Sequence, residues 1–152
     1  MTPPTARRPP RPPAPDLPAL RAEVAALRRR EHRRIFPALL CVGPDSGRWV
    51  AQELRWPPRD GLDEGLLFDV LEGLYDAVPR PEDRRVWLVR PGVPEVHDVD
   101  VQVAAVADRV AAAHGASGAA PTGLLVLTRY GWLLPRTGES RTWKRLRIPE
   151  PR

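Results

Sequence analysis

Residues 62–78, LDEGLLFDVLEGLYDAV, decide how the rest of the chain is read. Leu62, Leu66, Val70 and Leu74 recur at every fourth position, and Leu67, Leu71 and Tyr75 form the adjacent row, the spacing of an amphipathic helix. The remaining face carries Asp63, Glu64, Asp69, Glu72 and Asp76 and no base. The pattern predicts a helix over 63–78 with an apolar face for a sheet. Its acidic face is left for solvent or for a basic segment.

Outward from that helix, apolar runs and turn residues alternate. On the N-terminal side, residues 38–42 read as a buried strand and 43–47 (GPDSG) as a turn. Residues 48–55 alternate Trp49, Ala51 and Glu53 against Val50, Gln52 and Leu54, which completes a hairpin. Further upstream, Asp16 suits an N-cap and Pro18 the first turn. Leu20, Val24, Leu27 and Glu31 share a face that Ile35 continues, predicting a helix over 17–34 that Pro37 ends. On the C-terminal side, residues 86–89 form a short strand. A helix over 99–114 follows, opened by Asp98 or Asp100, with Val99, Val103, Val106 and Val110 as its buried stripe and Gly115 as its C-cap. Residues 116–122 are a small-residue linker. Residues 124–128 are a strand that continues as 129–134, and 140–148 return after the turn at 135–138.

The order α-β-β-α-β-α-β-β predicts an α+β fold: one domain with a mixed, mostly antiparallel sheet and helices packed on it. Residues 1–15, MTPPTARRPPRPPAP, are too rich in proline for helix or sheet and read as a disordered or polyproline II tail. The domain is therefore placed at 16–150.

Charge divides along the chain. Residues 1–34 hold nine Arg against three acids, residues 35–135 nine Arg against fourteen acids, and residues 136–152 five Arg and Lys144 against two acids. An acidic middle is bracketed by basic ends, which implies an anionic partner at the ends or ends that fold back on the middle. The single cysteine, Cys41, excludes an intramolecular disulfide and reads as a buried hydrophobe. No apolar stretch approaches the ~20 residues of a membrane helix, and no apolar segment follows Arg7 and Arg8 as a secretory signal requires. No membrane partner and a cytoplasmic location are the expectations.

Motifs for phosphate loops, nucleophile elbows and zinc spacing are missing. No catalytic residue, no metal and no cofactor is predicted. His97-Asp98-Val99-Asp100 is the one cluster with chemical capacity, for a divalent metal or for acid–base work. The simpler role of these residues is to cap the helix that follows. The element order from about 36 to 134 resembles the JAB/MPN fold of RadC-like and deubiquitinase-like proteins. In that fold a strand ends in H-x-H-P and an S-x-x-D turn opens the next helix. Residues 86–89 stand in place of the strand. Residues 97–100 stand in place of the turn, where Asp100 matches and His97 replaces the serine. The strand runs into Arg90-Pro91-Gly92, without the histidine pair. The resemblance therefore implies a zinc-free relative used for binding.

The C-terminal hairpin is the candidate site. A two-residue loop at Thr137-Gly138 would set Trp132 opposite Trp143, Tyr130 opposite Arg145 and Leu134 opposite Arg141. One face then shows Tyr130, Trp132, Arg141, Trp143, Arg145 and Arg147, with Lys144 alongside. A three-residue loop would send Trp143 to the other face. Aromatics interleaved with Arg suit base stacking and phosphate contact, and Arg28, Arg29, Arg30, Arg33 and Arg34 load the basic N-terminal helix; together they predict a partner of single-stranded nucleic acid. The alternative is a protein-interaction or scaffold module, with a protein partner or as a homodimer, that uses the acidic helix 63–78.

Overall fold

A strand buried on both faces must have a layer on each side, and β1 (Ala38–Gly43), β3 (Arg85–Val89) and β4 (Leu124–Thr128) are of this kind. The computed structural model describes residues 17–59, 61–115 and 123–145. Within them lie β2 (Val50–Leu54), β5 (Gly131–Leu133), β6 (Ser140–Thr142), and the helices α1 (Leu17–Arg30), α2 (Glu64–Asp76) and α3 (Asp98–Ala113). The tail at 1–15, the linker at 116–122 and Arg147 lie outside the described residues.

The six strands form one sheet in the order β2-β1-β3-β4-β5-β6. β3 and β4 are parallel, and every other neighbouring pair is antiparallel. A parallel pair needs a crossover, which α3 supplies. One face of the sheet (Ala38, Leu40, Val42, Val86, Leu88, Leu124, Val126) packs on α2 and α3 through Leu67, Leu71, Tyr75, Val103, Val106 and Val110. The other face (Cys41, Trp87, Val89, Leu125, Leu127, Trp132) packs on Leu20, Val24 and Leu27 of α1 and on Phe36. This is the single α+β domain with a mixed sheet that the element order predicts.

Four local features differ from expectation. Residues 124–134 are not one strand: the chain reverses at Arg129-Tyr130, pairing Thr128 with Gly131 and Leu127 with Trp132. The Tyr130 amide donates to Thr128 Oγ1 at 3.2 Å, and that hydroxyl donates to the Gly131 carbonyl at 3.2 Å. Second, α1 stops at Arg30. The Glu31 carboxylate accepts from the Arg33 amide (3.0 Å) and guanidinium (2.8 and 2.9 Å), a local bond set that competes with another helical turn. Ile35 is consequently 72% exposed and Phe36 takes the buried position. Third, of the two apolar rows on α2, Leu67, Leu71 and Tyr75 are buried, whereas Leu66 of the other row is 63% exposed. Fourth, β2 begins at Val50 rather than 48.

Candidate nucleic-acid interface

The candidate face is built by α1 lying over the β4–β5 end of the sheet. Its buried stripe, Leu20, Val24 and Leu27, meets Leu125, Leu127 and Trp132, so its remaining positions flank the hairpin. Arg28 secures this arrangement. Its Nε donates to the Arg129 carbonyl and its NH2 group donates to the Trp143 carbonyl at 2.8 Å. The guanidinium also lies over the Tyr130 ring, 5.7 Å from the centroid. Burial first, and then the charge of Arg129, pull the Arg28 pKa below its ordinary value.

The hairpin register differs from the one read with a two-residue loop. Trp132 faces Arg141, Gly131 faces Thr142 and Leu133 faces Ser140. The Trp143 amide donates to the Tyr130 carbonyl at 2.8 Å and the Leu134 amide to the Glu139 carbonyl at 2.8 Å. The loop therefore holds Pro135, Arg136, Thr137 and Gly138, closed by the Gly138 amide on the Leu134 carbonyl at 2.9 Å. Gly138 has φ +76°, which glycine adopts without strain. A shift of two residues preserves side-chain parity, so Tyr130, Trp132, Arg141 and Trp143 still share one face.

That face is the one α1 covers, and this divides the aromatic residues. Trp132 is 2% exposed and belongs to the core. Trp143 is half-buried against the same cluster, under the Arg141 guanidinium at 5.5 Å from its ring centroid. Tyr130 is 39% exposed. Arg141, Lys144 and Arg145 are exposed, as are Arg21, Arg29 and Arg30 on α1. Among the described residues, no salt bridge engages Arg21, Arg29, Arg141, Lys144 or Arg145. Pro18, Arg21, Trp132, Arg141 and Trp143 together line a pocket of about 320 Å³. Arg21 escaped the sequence reading of the site, and Arg28 entered it only as one base of a basic helix. Its role as a bridge gave no signal there, because the carbonyls it bonds are more than a hundred residues away.

The acidic surface of α2 lies across the sheet from α1. It meets α3: Arg109 reaches Glu64 at 3.2 Å, and His114 lies 3.7 Å from Asp76 and 4.0 Å from Glu72. The described arginines of α1 therefore do not fold onto it.

The cluster at 97–100 is organised by Arg90, which the sequence reading passed over. Arg90 and Asp100 are both fully buried, paired through Nε–Oδ1 at 2.7 Å and NH2–Oδ2 at 2.8 Å. The guanidinium also donates to the carbonyls of Pro91 (2.9 Å), Val93 (3.2 Å) and Glu95 (2.8 Å), so all five N–H groups are used. Asp100 Oδ2 accepts from the His97 amide at 2.9 Å at the start of α3. This carboxylate holds a loop and a helix end, while His97 and Asp98 are exposed. Among the described residues no three His, Cys, Asp or Glu side chains gather as metal ligands. Cys41 is buried in the α1-side core, and burial pushes its thiol up to about 12.

No protein-family model, no curated protein and no solved structure matches this chain.

Proposed function

We propose that this chain is a non-catalytic module that binds single-stranded nucleic acid along the face shared by α1 and the β5–β6 hairpin. The supporting observation is the Arg28 bridge to the Arg129 and Trp143 carbonyls. It brings the two basic segments of the sequence, one near each end, onto one side of the sheet. Arg21, Arg29, Arg30, Arg141, Lys144 and Arg145, none in a salt bridge among the described residues, then supply cations for phosphates. Tyr130 and the open edge of Trp143 supply stacking surface. Trp132 acts from beneath, as packing. Arg147, beyond the described residues, continues the same basic run.

The experiment is a fluorescence titration with single-stranded and duplex oligonucleotides at two salt concentrations. Binding that weakens steeply with salt and favours single strands is the expected result. Absence of binding at low salt defeats the proposal. A second reading, a zinc-free JAB/MPN-like interaction module, draws on the Arg90–Asp100 pair. There a guanidinium sits on Asp100, the one residue that matches the S-x-x-D turn of the resemblance. A stable protein complex formed by a chain that ignores oligonucleotides favours it.

A further inference from the structure

We propose that the pocket between the start of α1 and the hairpin is a subsite for a single nucleotide, taking its base against Trp143 and its phosphate between Arg21 and Arg141. This rests on the nucleic-acid reading and names what that face would hold most closely. The pocket is lined by Pro18, Arg21, Trp132, Arg141 and Trp143, and its volume of about 320 Å³ suits one small ligand rather than a strand. Its walls combine an indole, a guanidinium stacked on that indole at 5.5 Å, and a second exposed guanidinium. That set fits a planar aromatic group carrying an anion.

The aromatic wall narrows the ligand further. Trp132 is core, and its enclosed Nε1, without an acceptor among the described residues, is closed to the pocket. A nucleobase offers a planar face to Trp143, whereas inorganic phosphate or a sugar phosphate offers nothing for the aromatic wall. The first turn of α1 adds its positive end at Pro18, favouring the phosphate.

The test uses the full chain with mononucleotides, ribose 5-phosphate and inorganic phosphate, read by tryptophan quenching and by the indole N–H signals of the five tryptophans. A mononucleotide should move the Trp143 indole signal and bind about 10-fold tighter than ribose 5-phosphate, the gain from one stacked base. Trp143→Ala should bind mononucleotides about 10-fold more weakly, as loss of that stacking implies. Arg21→Ala should weaken mononucleotides more than long oligonucleotides. Equal binding of ribose 5-phosphate, or an unmoved Trp143 signal, overturns the subsite even if Trp143→Ala fails to fold. Oligonucleotide binding with no mononucleotide binding leaves the strand reading standing and removes this one. Mononucleotide binding with no oligonucleotide binding does the reverse.

Discussion

Arg28 and Trp143 are joined by a 2.8 Å hydrogen bond from guanidinium to backbone carbonyl, across 115 residues of chain. The same side chain also bonds the Arg129 carbonyl, so one residue of α1 holds both the turn before β5 and the end of β6. Arg28→Ala should lower stability by about 2 kcal/mol, the scale for charge-assisted bonds to half-buried carbonyls. Hydrogen exchange at the Trp143 amide should accelerate more than at β1. Arg28→Lys should not restore protection, because an ammonium lacks the planar fork that reaches both acceptors. Unchanged exchange at Trp143 in both variants would show the bridge to be incidental.

Gly131 leaves no room for a side chain between β5 and β6. A Cβ built there runs into the Arg141 carbonyl and lies 3.0 Å from Thr142 Cα. Gly131→Ala should therefore cost about 1–3 kcal/mol, the range for overpacking against backbone that has little room to move. The loss should concentrate in β6, seen as faster exchange at the Leu134 amide, which donates to the Glu139 carbonyl, and as weaker oligonucleotide binding. A variant that melts with wild type would mean that β6 pairs only loosely.

The buried Arg90–Asp100 pair should be intolerant of single changes. Removing either partner leaves a buried charge, a loss of about 3–5 kcal/mol. Arg90→Met with Asp100→Leu should recover part of it, because no orphan charge remains. Chemical denaturation of the two single variants and the double variant measures the coupling. Additive losses would contradict the pairing.

Cys41 links stability to alkaline pH. Its thiol is held at about 12 by burial, whereas an unfolded thiol titrates near ~8.5. Between these values the unfolded chain releases a proton that the folded chain keeps, so stability falls as pH rises, by up to ~1.4 kcal/mol per pH unit. Wild type should show a steeper loss than Cys41→Ala from pH 9 upward, whatever their offset at neutral pH. A thiol reagent at pH 8 should label the native chain only after denaturant is added. Rapid native labelling would refute the burial argument.

Arg145 and Trp143 separate phosphate contact from stacking. Arg145→Ala should weaken oligonucleotide binding and reduce the magnitude of the salt slope by about 1, because one fewer counterion is released. Trp143→Ala should weaken binding, with the slope retained, by roughly 1–3 kcal/mol if it stacks on a base. Circular dichroism checks that each variant is folded. Identical slopes for Arg145→Ala and wild type would remove Arg145 from the interface.

The helices were legible because their information is local. The Leu67–Leu71–Tyr75 row specifies the buried face of α2, and Asp63 caps it, its carboxylate accepting from the Leu66 amide at 3.0 Å. The apolar runs at 38–42, 86–89 and 124–128 likewise announced strands, and the structure covers all three on both sides. The reversal at Arg129-Tyr130 was not legible. Neither turn residue is the glycine or asparagine that usually marks a tight hairpin, and neither has positive φ; Gly131 follows them, already in the strand. The site was legible in part: Tyr130, Trp132, Arg141 and Trp143 do share a face, although the loop closes two residues away from the expected register. Arg90 was missed because its partner, Asp100, also reads as an ordinary helix-capping acid.

Sequence alone determined the α+β element order, the amphipathic helices and the concentration of positive charge near both ends of the chain. Each follows from residue type and from periods of two or 3.6 positions, and needs no distant partner. Tertiary structure alone decided that α1 covers the hairpin face, that Trp132 is core while Tyr130 stays open, and that Arg28 reaches Trp143. A strand's residue pattern says which side chains point together, but not which face a helix over a hundred residues away will bury. That choice is made by the apolar area the whole fold removes from water, with Leu20, Val24 and Leu27 closing over Leu125, Leu127 and Trp132.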